Sequence, residues 1–309
     1  MKITKSILHL INLILKGANA QKVREQAELV AKLYDESLEK NPVTYRFLLK
    51  NASADDYLRF DPLSGTNSRF SNEPLFRLLK AIEVCRDEFT TLLLCRILMG
   101  FVTQCGSSAS EVVRQKLIIR MDGTNSLIRC FLSYFRLAAV EGSVVDILTS
   151  LLIMLAQQAR NARMFGKSEK FVTGILAAIV DGAMDASVVA RLMEMLFFII
   201  KFRNRAIMSL LESQSIFSVL LRVFDEHFQQ RFVAPAHLEI CAFAVTSLSN
   251  LARLRCHREH LVSADAQKVF QSAMLIICKD VESVENLSPL TTSFAVEFQV
   301  KVVSGLLSF

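Results

Sequence analysis

The chain has 309 residues, 52% of them hydrophobic and 21% charged, and carries a net charge of +6. This composition excludes a disordered polar chain, and so mild a positive balance, with its phenylalanines on apolar stripes, lacks the dense basic face that nucleic acid requires. Apolar runs such as Val188–Ile200 and Leu92–Val102 carry Arg191, Glu194 and Arg96, so no transmembrane helix is expected.

Residues 3–15 and 21–40 predict two helices around Gly17, an N-terminal cap spanning 1–40. Ile7, Leu8, Ile11, Ile14 and Leu15 fall on one helix face. The same stretch, with Lys2 and Lys5 before it and Ala18-Asn19-Ala20 after it, also has the outline of a secretion signal, which would make this a secreted helical protein. His9 and Asn12 interrupt it and Lys16 follows it, which favours the amphipathic helix. Residues 41–74 contain Pro42, Pro62, Pro74 and the run Ser64-Gly65-Thr66-Asn67-Ser68, and predict a loop-rich break with a short helix near Tyr45–Leu49.

From 75 to 280 the chain reads as helical repeats. No proline lies between Pro74 and Pro235 to break a helix. A nine-residue pattern recurs four times: LIRCFLSYF from Leu127, FVTGILAAI from Phe171, IFSVLLRVF from Ile216 and VFQSAMLII from Val269. Places 1, 2, 5, 6 and 9 are almost all large and apolar, which at helical periodicity is one buried stripe. Phe131, Phe135, Phe171, Phe217, Phe224 and Phe270 sit on these stripes and read as core. The copies step by 44, 45 and 53 residues. Repeats of about 40–47 residues made of two or three helices characterise armadillo and HEAT arrays, whose units bury their apolar faces only by stacking. The fold expected is therefore an all-α, armadillo/HEAT-like solenoid superhelix. The long last step is assigned to a loop insertion over Asp225–His237, with Gln229, Gln230 and Pro235. In 281–309, after a loop around Pro289, Val296, Phe298, Val300 and Val302 alternate with Glu297, Gln299 and Lys301. That period of two reads either as a lone strand, the start of a further β-containing domain, or as a helix or tail.

Seven cysteines (Cys85, Cys95, Cys105, Cys130, Cys241, Cys256, Cys278) form no CxxC pair. Odd in number and mostly in apolar runs, they read as buried free thiols of a reducing compartment, and the chain is expected to be cytoplasmic.

The segment VVRQKLIIRMDGTNSLIRC (112–130) resembles the armadillo consensus, with Gly123 at the turn before the stripe helix. Lys170, Ser215 and Gln267 stand near the equivalent turns of the other copies, where glycine would be expected. A second resemblance runs from about Ser143 to Val300. The strings NARMFGKSEKFVTGIL (161–176), NRAIMSLLESQSIFSVLLRVF (204–224) and SLSNLARLRCHREHLVSADAQKVF (247–270) are similar to the armadillo-like N-terminal region of the large cytosolic carboxypeptidases. Those enzymes are zinc metallocarboxypeptidases that trim glutamates from tubulin tails, and their helical region precedes a β-sandwich and the catalytic domain. The resemblance implies a targeting region without its enzyme domain. No catalytic residue carries over, because none of His9, His227, His237, His257 and His260 has Glu three residues on, as that family's HxxE motif requires.

No other chemistry emerges. Cys256-His257-Arg258-Glu259-His260 is dense in metal-capable side chains, but it lacks the spacing of three or four convergent ligands and reads as a polar turn. Gly166-Lys167-Ser168 resembles the end of a phosphate-binding loop, yet Asn161 stands where its first glycine is needed. No catalytic residue, metal or cofactor is expected. The basic residues are more informative. Eleven residues before each stripe lies a cation: Lys116, Arg160, Arg205 and Arg258. Arg114, Arg163, Arg203 and Arg255 are their neighbours. Equivalent places in a stacked array line one edge, where such cations would hold an acidic protein segment, such as a tubulin tail. The plainer reading is that they cap helix C-termini, where the helix dipole favours cations, and solvate loops. The expected function is thus a protein-interaction scaffold, with a stand-alone armadillo adaptor for an unrelated partner as the alternative.

Overall fold

A computed structural model describes residues 2–37, 47–48, 73–103, 108–120, 122–134, 143–180, 184–231, 233–252 and 268. Among these residues lie thirteen α-helices and no strand, so the protein is all-α over the part described. The fourth stripe copy, the alternating segment at 296–302, and nearly all of the 41–74 break lie outside the described residues. The chain divides into two compact units, Met1–Leu155 and Ala156–Phe309.

The first unit holds α1 (Lys2–Leu15), α2 (Ala20–Ser37), α3 (Pro74–Val84), α4 (Glu88–Thr103), α5 (Ser108–Arg120) and α6 (Gly123–Tyr134). Helix α7 (Val144–Ala156) runs up to the division. Helix α1 buries Ile3, Ile7, Leu10 and Ile11; of the face expected for it, Ile7 and Ile11 are buried, while Leu8, Ile14 and Leu15 are half-buried. It ends where Gly17 takes φ of 65°, a left-handed conformation that costs glycine nothing. The Asn19 carboxamide then accepts from the Gln21 N–H at 2.9 Å and starts α2. Helix α1 packs on α3, and α3 on α6, while α2 packs on α4.

Helix α3 carries a copy of the stripe beyond the four counted. Counted from Pro74, places 2, 5, 6 and 9 are Leu75, Leu78, Leu79 and Ile82, all buried. Proline hides the copy by occupying place 1, but it is well suited to the first helical position, where no N–H bond is needed. A polar cluster joins α3 to α6. Glu83 accepts from Arg129 at 2.6 Å, Ser126 at 2.7 Å and Lys80 at 2.9 Å. Partial burial pushes this carboxyl's pKa up, but the hydrogen bonds from Arg129, Lys80 and Ser126 outweigh it and hold the group at about 2.

The described residues of the second unit form two triplets of helices, each short, then medium, then long. The first is α8 (Ala159–Lys167), α9 (Glu169–Val180) and α10 (Ala186–Lys201). The second is α11 (Arg205–Ser213), α12 (Ile216–Gln229) and α13 (Pro235–Ala252). Each helix packs on its counterpart: α8 on α11, α9 on α12, α10 on α13. The stripe lies on the middle helix. Phe171, Val172, Ile175, Leu176 and Ile179 are all buried on α9, as are Ile216, Phe217, Leu220, Leu221 and Phe224 on α12. In the first unit Leu127, Ile128 and Phe131 are buried on α6. Side-chain caps start two of the helices: Asp185 accepts from the Ser187 N–H at 2.8 Å, and Asn204 from the Ile207 N–H at 3.0 Å.

Three local expectations are corrected. Asp225–His237 is not a loop insertion: Asp225–Gln229 extend α12, and α13 begins at Pro235 after a short turn. Phe228 explains the extension, because it is buried and stacks on Phe224 at 5.4 Å, one further turn of the apolar stripe. At the turn before α6, the left-handed residue is Asp122 (φ 58°), not Gly123. Gly123 is needed for space instead, since a Cβ there would lie 2.6 Å from the Ile118 carbonyl oxygen and 2.8 Å from Leu79. Ser215, where glycine was expected, itself adopts φ 55°.

Cys85, Cys95, Cys130 and Cys241 are free and buried, and burial raises the pKa of Cys95, Cys130 and Cys241 above the ordinary thiol value. The other three cysteines lie outside the described residues.

Two outcomes are expected. Stability from the Glu83 cluster is present above the carboxyl's ordinary value of 4.5 and is lost as pH falls toward 2. Urea melts across that range should show this fall in the intact protein and a weaker one in Glu83→Gln. Gly166 is also needed for space, since a Cβ would sit 2.7 and 2.9 Å from Ile207 and 3.0 Å from Ile199. Overpacking costs about 1–3 kcal/mol against the roughly 1 kcal/mol that alanine gains over glycine in a helix. Gly166→Ala should therefore lower the denaturation midpoint of the second unit.

Candidate functional site

The predicted basic residues separate into two kinds. Arg203 terminates helices. Its guanidinium donates to the carbonyls of Ile200 at 2.8 Å and Asn250 at 2.7 Å, so it fastens the end of α10 to α13. Arg163 donates from Nε to the Phe202 carbonyl at 3.1 Å, joining α8 to the same helix end. In the first unit Arg114 donates to the Val102 carbonyl at 3.1 Å near the end of α4. These three match the capping role, because the last carbonyls of a helix have no intrahelical donor.

Arg160 and Arg205 do not. Arg160 is the second residue of α8 and Arg205 the first of α11, and both are exposed. They stand at helix N-termini, where the dipole disfavours a cation. A C-terminal capping role therefore does not describe them, whereas exposure to solvent, the other half of the plainer reading, does. Lys116 is exposed on α5 in the first unit. Arg255 and Arg258, with the rest of the Cys256–His260 turn, lie outside the described residues.

What the second unit brings together is a basic surface on α8 and at the α10–α11 junction. Arg160, Arg163 and Lys167 are spaced i, i+3 and i+7 along α8, so they share one face, and all three are exposed. The hydrogen bond from Arg163 to Phe202 sets that face against Lys201-Phe202-Arg203-Asn204-Arg205. Neither Arg160–Lys167 nor Lys201–Arg205 contains a carboxylate. Lys167, which in the sequence reads only as part of a phosphate-loop ending, and Lys201 are not among the predicted basic residues. The helical spacing from Arg160 was the signal that could have found Lys167.

The other constellations have structural roles. Gly166 is buried against Ile207 and Ile199 inside α8, which leaves it no freedom to cradle a phosphate. His227 and His237 face each other with Nδ1 atoms 2.8 Å apart, tying the end of α12 to the start of α13. Burial, and then His237, hold His227 below the ordinary histidine value. Among the described residues no group of three or more His, Cys, Asp or Glu side chains converges as for a metal ion. No single described helix is long and apolar enough to cross a membrane. No protein-family model matches this chain, and no curated protein matches it.

The two kinds of arginine should respond differently to alanine. Arg203→Ala removes a donor from two helix ends and should cost about 1.5–3 kcal/mol in urea denaturation. Arg160→Ala and Arg205→Ala should stay within about 0.5 kcal/mol of the parent, as surface changes free of any capping role do.

Proposed function

We propose that this protein is a non-catalytic, armadillo-type interaction scaffold, the targeting region of a cytosolic carboxypeptidase-like protein that acts on tubulin. The observation that carries the scaffold reading is the pairing of helix triplets in the second unit, each helix lying on its counterpart. Units that repeat in this way form a surface on which equivalent residues recur at fixed intervals. Arg160 and Arg205 are such equivalents, one at the start of each short helix. Exposed cations that a fold places against the helix dipole are best accounted for by a ligand of opposite charge. An extended glutamate-rich segment, such as a tubulin tail, suits a surface whose charges are spread over two helices. The association with carboxypeptidases rests on the strings at 161–176, 204–224 and 247–270.

The test is binding of a fluorescent glutamate-rich peptide to the whole chain, followed by anisotropy. Joint replacement of Arg160, Lys167 and Arg205 by Glu should weaken binding by about tenfold or more, since each surface charge is worth up to about 1 kcal/mol. Raising the salt should weaken the parent in the same direction. Unchanged, salt-insensitive binding would sink the basic surface as the site.

A further inference from the structure

Next to this basic surface the end of α10 presents an aromatic cluster. Phe197, Phe198, Lys201 and Phe202 are spaced i, i+1, i+4 and i+5, which on a helix forms one diamond-shaped patch. All three rings are half-buried, and Lys201 is exposed. The Lys201 ammonium lies 5.7, 5.9 and 5.3 Å from the ring centroids of Phe197, Phe198 and Phe202. Phe243 of α13 extends the patch, with its ring 6.0 Å from that of Phe197.

Phe198 is out of place for a plain core residue. The buried residues of α10 are Val188, Val189, Ala190, Leu192, Met193, Met195, Leu196, Ile199 and Ile200. Ser187, Arg191, Glu194 and Lys201 mark the opposite face, and Phe198 falls among them. Phe198 is thus a large, half-buried apolar ring on a polar face, beside the exposed cations Lys201 and Arg205. The charge around it is directional. Toward α11 lie Lys201, Arg203 and Arg205, with Arg163 across from them. One turn back lies Glu194, whose pKa is raised by burial and by Glu239.

Resting on the acidic-segment reading above, we infer that the ligand is an acidic peptide with one large apolar residue. That residue sits on Phe198 and Phe202, and its carboxylates run toward Arg205, Arg163 and Arg160. Opposite charge selects the peptide, and the rings select a position within it. A purely acidic run would use only the cations. The carboxylates run away from Glu194, which like charge closes to them.

The test compares three peptides of equal length on the whole chain by anisotropy: an all-glutamate run, the same run with one central leucine, and that leucine peptide with its glutamates changed to glutamine. Burying part of a leucine should tighten binding about five- to tenfold over the all-glutamate peptide. The glutamine peptide should bind far more weakly than either. Phe198→Ala should erase the leucine advantage while leaving the all-glutamate affinity unchanged, and Phe198→Leu should retain much of it. Thermal melts of both variants check that they fold. Equal affinity for the two acidic peptides would overturn the anchor and leave the acidic-segment reading standing. Failure of both acidic peptides to bind would overturn the reading and the anchor together. Tight binding of the glutamine peptide would show that charge plays no part and would overturn the proposal.

Discussion

The second unit depends on one constraint, burial of the apolar stripe along its middle helices. Helices α9 and α12 turn five and seven large side chains inward. Burying one such side chain is worth about 1.5–3 kcal/mol, far more than any single surface ion pair supplies. A helix of 12 or 14 residues cannot shelter that stripe by itself. It needs a long helix on one side and its own counterpart on another, and both are present. Gly166 sets how closely the short helices meet, since the Ile207 and Ile199 side chains occupy the space its Cβ would take.

This arrangement leaves helix ends at regular intervals along the chain, and the ends determine what the polar residues do. Each end exposes carbonyls or amides with no intrahelical partner. Asp185 and Asn204 satisfy amides, while Arg163 and Arg203 satisfy carbonyls. Once those needs are met, Arg160, Lys167, Lys201 and Arg205 remain exposed around the same junction. The same geometry that ends helices thus collects cations on one surface. The basic surface and the phenylalanine patch adjoin because both belong to the end of α10 and what packs beside it.

Much of this was legible in the residues. The stripe spacing identified α6, α9 and α12 as buried helices, and the amphipathic pattern at 3–15 identified α1. Pro74 concealed the copy on α3, because a pattern search for apolar residues passes over a proline that a helix accepts at its first position. At Ser215 the turn has the left-handed backbone for which glycine is expected, and serine adopts it instead, because residue type only biases that conformation. The site was half legible. The eleven-residue offset found Arg160 and Arg205, but nothing in it showed that their neighbour Arg203 has a different role, with a hydrogen bond that reaches 47 residues along the chain to Asn250.

Hydrophobic periodicity by itself determined that this protein is helical, where its buried faces lie and that they recur, since a 3.6-residue turn leaves a local trace in the sequence. Only the tertiary structure decided which helix lies on which, which glycine is needed for space and which for its backbone angle, and which cations are spent on helix ends. Those outcomes depend on atoms distant in sequence meeting in space. A carbonyl at Phe202 or Asn250 is the same group in any sequence until an arginine reaches it.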